Sequence, residues 1–364
     1  MDILKIIIVF FLLTFSFGET IRIGLGDNLF IKPIDIFATG LFFFWIVKNF
    51  KSVKAKVILN DSLSVPIMLV VLVFLASLIL NIKNFSLNEI FIAFSYALRW
   101  SLYASLYFVV KSFSQKFKEK VIYVLAVLGT VLVLFGFIQY FFYSSLRNLY
   151  YLGWDDHMHR MFSVFLDPNF AGAFFVLFLF FSLSLVLYLM DNNKKKQAWL
   201  LGLIACLTLL SVFLTYSRSA LIMLLTTAIT FAIVTRKIRL MLGIFLVGII
   251  FIFISSKNFN IENVNLFRIA SSEARLDSAR TALRIISDNF VLGTGFNTYR
   301  YAQIKYGFRD PINSAASHAD AGTDNSFLFV FATTGIIGLA AYIYLLKTML
   351  SSAYKSHKNG NIIG

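Results

Sequence analysis

Ten long apolar runs follow one another along this chain, and shorter polar segments separate them. A helix needs about 20 mostly apolar residues to cross the hydrocarbon core of a bilayer. The chain is 59% hydrophobic, with a mean hydropathy of +0.80, whereas soluble domains are about 45–50% apolar. The sequence therefore predicts an all-α membrane protein with about ten transmembrane helices. They are expected at residues 3–18, 34–50, 63–82, 88–110, 121–143, 163–190, 197–216, 219–235, 240–256 and 325–347.

Basic residues cluster in every second connection between these runs. Because cytoplasmic connections are enriched in lysine and arginine, this alternation predicts that both termini are cytoplasmic. It also accounts for the net charge of +15 without a nucleic-acid partner, since juxtamembrane lysines orient helices and attract anionic membrane lipid. The clusters are Lys48, Lys51, Lys54 and Lys56; Lys111, Lys116, Lys118 and Lys120; Lys194–Lys196; Arg236, Lys237 and Arg239; and Lys347, Lys355 and Lys358.

The remaining connections are expected on the opposite, external face. They comprise residues 19–33, 83–87, 144–162, the tight turn 216–219 and the large loop 257–324. This topology divides the chain into three parts. Residues 1–256 would carry nine transmembrane helices, residues 257–324 the large external loop, and residues 325–364 the last helix and a basic cytoplasmic tail.

The first apolar run has two interpretations. Lys5 precedes a short apolar core, as in a signal peptide, but no convincing small-x-small cleavage pattern follows, so a retained helix is favoured. The single cysteine, Cys206, lies inside a later apolar run. An intrachain disulfide is therefore excluded, and the redox compartment does not follow from this residue.

The large external loop combines positive charge with helical periodicity. Leu276, Ala279, Leu283 and Ile286 recur at steps of three and four residues, which predicts a helix with one apolar face that stops near Asp288. Such a helix could lie on the membrane surface as a lid, or it could be a solvated basic helix with no role in substrate binding. The polar residues of the loop include Arg268, Arg275, Arg280, Arg284, Arg300, Arg309, His318, Asp320 and Asp324.

Two arginines associated with the apolar runs are candidates for anion binding. Arg218 lies in the tight turn, where its planar fork of donors would match phosphate oxygens; the alternative is an interfacial anchor. Arg99 lies near the middle of its run, too deep for easy snorkelling. Few acidic residues lie within the spans to pair with Arg99, so a ligand anion is one interpretation, and pairing with backbone carbonyls is the other.

The segment that follows Arg160 contains a helix-start pattern. Asp167-Pro168-Asn169 is expected to open a helix, since an acidic side chain favours the positive end of the helix dipole, and capping alone would explain Asp167. Just before it, residues 154–159 hold two carboxylates and two histidines but no third firm ligand, so no metal site is expected. No phosphate-binding glycine loop is present in a strand-to-helix context, and no cofactor is expected.

Taken in order, these segments resemble the bacterial O-antigen ligase and O-antigen polymerase superfamily. The resemblance covers about residues 90–345. Each motif alone is weak evidence for the family, whereas the whole set in this order is fairly specific to it. The motifs are the Leu98-Arg99 run, Arg160 leading to Asp167-Pro-Asn-Phe-Ala171, Ser217-Arg-Ser-Ala220, Asp288–Tyr299 with Gly293-Thr-Gly295, Asp324-Asn-Ser-Phe-Leu328, and Gly335-Ile-Ile-Gly338.

The resemblance implies an inverting, metal-independent glycosyltransferase in the bacterial inner membrane. Such an enzyme takes a glycan from undecaprenyl pyrophosphate at the periplasmic face; ligases pass it to lipid A–core, and polymerases to another glycan. Ligases place a histidine directly before the asparagine that opens the final span. Asp324 occupies that position here and His318 lies six residues earlier, a departure that favours a polymerase over a ligase.

The resemblance and the chemistry of phosphate binding together suggest site residues. Fixed arginines can stabilise the charge that develops on a leaving pyrophosphate without a metal, and the acceptor hydroxyl needs a base or an orienting acceptor. The candidate catalytic residues are Asp324, His318 and Arg218, and the candidate pyrophosphate-binding residues are Arg218, Arg275, Arg99, Arg160 and Arg280.

A transporter or flippase for lipid-linked sugar is the alternative from another functional class. It would require charged or broken helices along the whole transmembrane path and two matched halves. Only Arg99 fits the first requirement, and no internal repeat is visible. The sequence therefore favours a transferase.

Overall fold

The computed structural model describes residues 3–26, 29–49, 61–255, 264–266, 270–310 and 321–358. Within this part of the chain nearly every element is a helix, and the sheet is a single two-stranded antiparallel hairpin of β1 (Ile23–Gly24) and β2 (Phe30–Ile31). The prediction of an all-α protein is confirmed for these residues.

Each of the ten predicted apolar runs contains a helix, so the predicted positions are confirmed. A helix satisfies its backbone hydrogen bonds internally, as lipid surroundings require. The helices are α1 (Ile3–Phe15), α2 (Pro33–Asn49), α3 (Ser64–Leu80), α4 (Leu87–Lys111), α5 (Gln115–Phe142), α6 (Pro168–Asp191), α7 (Lys195–Leu214), α8 (Arg218–Thr235), α9 (Ile238–Ser255), α10 (Ala270–Asp288), α11 (Tyr299–Lys305) and α12 (Ser326–Lys358).

Six of the described helices are long and apolar enough to cross a membrane, namely α5 to α9 and α12. Helices α1, α2 and α3 are shorter, at 13, 17 and 17 residues. Helix α4 has 25 residues, but Arg99 and several serines and tyrosines interrupt its apolar run. Length and apolarity therefore support six crossings among the described residues and not the ten predicted.

Packing divides the chain into two compact units. The first comprises Met1–Phe11, Arg22–Val121 and Ala270–Gly364, and the second comprises Leu12–Ile21 and Ile122–Ile269. These units cut across the three parts at residues 1–256, 257–324 and 325–364, which are defined by membrane topology and stay a prediction.

Helix α6 forms the centre of the second unit. It packs against α7 and α8, and its phenylalanine and aliphatic side chains fill the core: Phe175 and Val176 are fully buried, as is Val212 of α7. Gly129 of α5 leaves space for the ring of Phe178, which a Cβ at residue 129 would overlap. The middle of α6 is thereby packed closely against α5.

In the first unit, α12 packs against α3 and is broken at Gly335. The backbone of Gly335 has φ 67° and ψ −170°, outside the helical region, and the amide of Ile336 donates instead to the carbonyl of Phe290 at 2.9 Å. A Cβ on Gly335 would overlap the backbone of Val291. Residue 335 must be a glycine because the backbone at Phe290 and Val291 packs directly against the broken turn of α12.

Helix α10 of the large loop is present as predicted and ends at Asp288, but only part of its predicted apolar face is buried. Ala282, Ile285 and Ile286 are buried, whereas Leu276 and Leu283 are 51% and 55% exposed. Apolar residues occupy two sides of α10, and packing against α12 buries only one of them. The last helix is also longer than predicted, since it continues to Lys358 and does not stop at residue 347.

Candidate functional site

The second unit joins two of the motifs found in the sequence at the first turns of α6 and α8. The Asp167 carboxylate accepts hydrogen bonds from the amides of Asn169 and Phe170 at 2.6 and 3.0 Å, with Pro168 as the first helical residue. This arrangement satisfies amides that have no partner within the helix. The predicted helix start at Asp167 is confirmed.

Ser217 links the two helix N-termini. Its hydroxyl caps α8 by accepting a hydrogen bond from the amide of Ala220 at 3.3 Å, and it donates to the side-chain oxygen of Asn169 at 2.8 Å. The backbones also approach closely at Gly172, where a Cβ would lie 2.6 Å from that of Ala220. Two positive helix ends therefore lie side by side, which favours an anion there.

Arg160 holds the turn that precedes Arg218. Its side chain is buried, with 4% of its surface exposed, and its Nε donates to the carbonyl of Thr215 at 2.8 Å. A terminal nitrogen of the same guanidinium donates to the carbonyl of Tyr216 at 3.4 Å. Arg218 is half-buried as the first residue of α8, so Arg160 fixes the backbone from which the Arg218 side chain extends.

Gln139 of α5 holds the backbone at and after Arg160 by hydrogen bonds, a role that the sequence did not predict. Its side-chain oxygen accepts hydrogen bonds from the amides of Phe162 and Ser163 at 2.7 and 3.0 Å, and its side-chain nitrogen donates to the carbonyl of Arg160 at 3.2 Å. An amide side chain inside an apolar run is the signal that could have found it, because such residues usually have a specific partner.

The histidine-containing segment before Arg160 forms an ordered loop. The backbone carbonyl of Asp156 accepts a hydrogen bond from the amide of Leu146 at 2.7 Å, and its carboxylate accepts one from the hydroxyl of Ser145. Burial lowers the pKa of His157, and the charge of Arg160 lowers it further, against the opposing effect of nearby carboxylates including Asp167. Among the described residues, no group of three His, Cys, Asp or Glu side chains could hold a metal ion.

Arg99, in the first unit, is paired with an acidic residue that the sequence interpretation missed. A terminal nitrogen of Arg99 lies 3.1 Å from a carboxylate oxygen of Asp35, and the two side chains are 19% and 13% exposed. Arg99 also donates to the carbonyl of Phe30, and Tyr103 donates to Asp35. Asp35, in the first turn of α2, is one of the few acidic residues within the predicted spans, and the sequence did not identify it as the partner; the alternative of a backbone carbonyl partner is met at Phe30. Pyrophosphate binding by Arg99 stays a prediction.

The other candidate arginines of the first unit lie on α10. Arg280 forms an ion pair with Asp277 at 3.0 Å, and both side chains are largely exposed. Such an exposed pair contributes little to stability and leaves Arg280 accessible. Arg275, on the same helix, is half-buried, and Arg284 lies over the ring of Phe308 at 5.8 Å.

One candidate base, Asp324, lies just before the start of α12. Asp324 is exposed and directly precedes Asn325, whose side-chain oxygen accepts hydrogen bonds from the amides of Phe327 and Leu328 at 2.9 and 3.2 Å. Because Asn325 provides the cap, the Asp324 carboxylate is not needed to start the helix. His318, like Asp320 and Arg268, lies outside the described residues.

The glycine-rich motif of the large loop is anchored on α12. The amides of Thr294 and Gly295 donate to the carbonyls of Ala332 and Thr333 at 3.0 and 2.9 Å. From α3, the hydroxyl of Ser77 lies 2.8 Å from the carbonyls of both Leu292 and Thr333. The predicted turn at Gly293-Thr-Gly295 is thereby a fixed part of the first unit.

The fold and these sites define a multi-pass, all-α membrane protein with an arginine, Arg218, at paired helix N-termini. Residues 201–343 match the family model described as O-antigen ligase. This match confirms, for residues 201–343, the resemblance to the O-antigen ligase and polymerase superfamily that the sequence predicted. The match includes the Ser217–Ala220, Asp288–Tyr299 and Gly335 motifs; the resemblance within residues 90–200 stays a prediction. No curated protein and no solved structure matches the chain.

Proposed function

We propose that the protein is a glycosyltransferase that moves a glycan from undecaprenyl pyrophosphate to an acceptor sugar. The observation that carries this proposal is the joined start of α6 and α8, where the Ser217 hydroxyl donates to Asn169 at 2.8 Å beside Arg218. Two helix N-termini and a guanidinium that extends from a fixed backbone turn favour a pyrophosphate group. The matched family supports a lipid-linked glycan as the donor.

In the proposed reaction, the acceptor hydroxyl attacks the anomeric carbon of the donor with inversion. The bond from that carbon to the pyrophosphate oxygen breaks, and its electron pair leaves with the pyrophosphate. Arg218 and the helix ends stabilise the charge that develops there, without a metal ion, because their donors are already oriented. Arg160 acts chiefly by holding the carbonyls of Thr215 and Tyr216, and it adds positive charge to the site.

Further arginines are proposed to contact the pyrophosphate along its path. Arg275 and Arg280 of α10 would supply two of these contacts, and Arg99 a third if the phosphate competes with Asp35. The proton of the acceptor hydroxyl passes to Asp324 or His318. The exposed position of Asp324 supports it as the base, since it is open to an incoming acceptor.

The proposed setting is the bacterial inner membrane, with ten crossings, both termini in the cytoplasm and the active face in the periplasm. The alternating lysine clusters support this topology. A polymerase is favoured over a ligase, because Asp324 stands where ligases have a histidine. The acceptor would then be another glycan, and lipid A–core would be the acceptor in the alternative.

The test uses purified protein with lipid-pyrophosphate-linked repeat units, with and without lipid A–core, and resolves the products on a gel. Extension without lipid A–core is the expected result for a polymerase, and a single transfer that requires lipid A–core would identify a ligase. Arg218→Ala should reduce the product at least a hundredfold, whereas Arg239→Ala, at an exposed arginine of α9, should leave it unchanged. If wild type forms no product in either mixture, the transferase proposal fails and a transporter for lipid-linked sugar becomes the better explanation.

A further inference from the structure

A cavity of about 180 Å³ with a mixed polar and apolar lining lies in the first unit. It is lined by the connection between α3 and α4, by the residues that follow α10, and by α11. This volume suits one sugar ring and is well below the roughly 300 Å³ at which drug-sized sites begin.

The walls of the cavity are fixed by hydrogen bonds to the backbone. The side-chain nitrogen of Asn81 donates to the carbonyls of Ser77 and Gly293 at 2.9 and 3.1 Å. That of Asn289 donates to the carbonyl of Ile285 and to the Tyr306 hydroxyl, both at 2.9 Å. The polar groups are therefore already oriented, which lowers the cost of binding a ligand.

The second side of the cavity is formed by Asn84 and Lys305. The side-chain nitrogen of Asn84 donates to the side-chain oxygen of Asn81 at 3.0 Å, and the Lys305 ammonium lies 3.5 Å from the oxygen of Asn84. Asn84 and Lys305 are both exposed, so a ligand can reach them from outside. Phe85 adds an aromatic ring to the lining.

The chemistry of the lining matches a neutral sugar. Amide, hydroxyl and ammonium groups supply both donors and acceptors, as a ring that carries several hydroxyl groups requires, and an aromatic ring can cover its apolar C–H face. Among the described residues, those that line the cavity include no carboxylate and one cation, Lys305. Arginine pairs or helix N-termini, which favour phosphate, are not among its described lining residues.

We propose that this cavity is a sugar-binding subsite that takes one neutral pyranose ring of the glycan. The proposal rests on the proposed transferase function, in which the cavity would position a sugar of the donor or of the acceptor. By the predicted topology, the connection at residues 83–87 faces the same external side as the large loop. The subsite is therefore on the side where the glycan is expected.

Binding is tested with the full-length protein in lipid nanodiscs by saturation-transfer NMR, using methyl glucoside, methyl galactoside and N-acetylglucosamine as probes. Asn84→Ala and Lys305→Ala each remove one polar group from an exposed position, so the fold should persist. Each should weaken the binding of the preferred probe about tenfold, as the loss of one hydrogen bond implies. Lys83→Ala, at an exposed lysine outside the lining, is the matched control and should bind as wild type does.

The outcomes separate this proposal from the transferase proposal. Arg218→Ala should bind the probe normally while losing transfer, because it leaves the cavity intact. If no probe binds to wild type, or if Lys83→Ala weakens binding as much as Lys305→Ala does, the subsite is refuted even when transfer proceeds. If the probe binds as expected and wild type transfers nothing, the subsite stands and the transferase fails. If Asn84→Ala and Lys305→Ala raise the KM only for the lipid-linked donor, the bound ring belongs to the donor. If they raise the KM only for free oligosaccharide, the bound ring belongs to the acceptor.

Discussion

Replacing Arg160 with alanine tests whether this buried guanidinium acts by holding the turn before α8. The substitution removes the donors of the Thr215 and Tyr216 carbonyls, whose bonds measure 2.8 and 3.4 Å. A hydrogen bond from a charged donor contributes about 1.5–3 kcal/mol, and the longer bond contributes less, so the combined loss is about 3 kcal/mol. With an unfolding entropy of about 2.1 cal/mol/K per residue over 364 residues, the melting temperature should fall by about 4 °C.

The assay combines thermal unfolding in nanodiscs with glycan transfer measured well below the melting temperature. Arg160→Lys is the informative partner variant, since lysine keeps the charge but cannot present the same planar fork of donors. We expect both variants to unfold earlier and to lose transfer about tenfold or more. Arg147→Ala, at an exposed arginine in the same connection, should match wild type in both measurements.

A different pattern would refute this reasoning. If Arg160→Ala unfolds at the wild-type temperature and Arg160→Lys recovers transfer, then Arg160 acts through its charge on the substrate. The bonds to the turn would in that case be incidental, and the direct pyrophosphate contact predicted from the sequence would be the better description.

Three further predictions follow from other parts of the structure. Gly335→Ala should lower the free energy of unfolding by about 3 kcal/mol or more, because the φ of Gly335 is 67° and a Cβ would overlap Val291. Denaturation in mixed micelles measures this free energy, and a loss below about 1 kcal/mol would contradict the prediction. Because the pKa of His157 is lowered in the folded protein, the unfolded chain takes up a proton at a higher pH than the folded chain does. Stability should therefore decrease as the pH falls below about 6.5. Melting curves from pH 8 to 5 should show this decrease, and His157→Asn should make the decrease smaller. Arg99→Met or Asp35→Leu alone should destabilise the protein by about 3 kcal/mol, and the double variant by much less; additive losses in a double-mutant cycle would exclude the pairing.

The features predicted best from the sequence are those set by neighbouring residues. Helix positions followed from the lengths of the apolar runs, since lipid surroundings leave few alternatives for the backbone. The start of α6 followed from Asp167-Pro168-Asn169, because a cap involves amides only two and three residues away. The end of α10 at Asp288 was likewise predicted from neighbouring residues alone.

The contacts that organise the site could not be predicted in the same way. Arg160 donates to carbonyls 55 and 56 residues further on, and any backbone carbonyl could have been its partner. Asp35 was missed as the partner of Arg99 because the two residues are on different helices. Leu276 and Leu283 fit the helical period as well as Ile286 does, so periodicity alone could not choose which side of α10 is buried.

The break in α12 has a consequence for how the length of the large loop can vary. The segment after α10 is bonded to α12 at successive points, from the carbonyl of Phe290 to the amides of Thr294 and Gly295. One residue inserted between these points would shift every later bond out of register, whereas an insertion between α11 and α12 would leave them all in place. Homologous chains should therefore differ in length in the second of these connections and keep a constant length in the first.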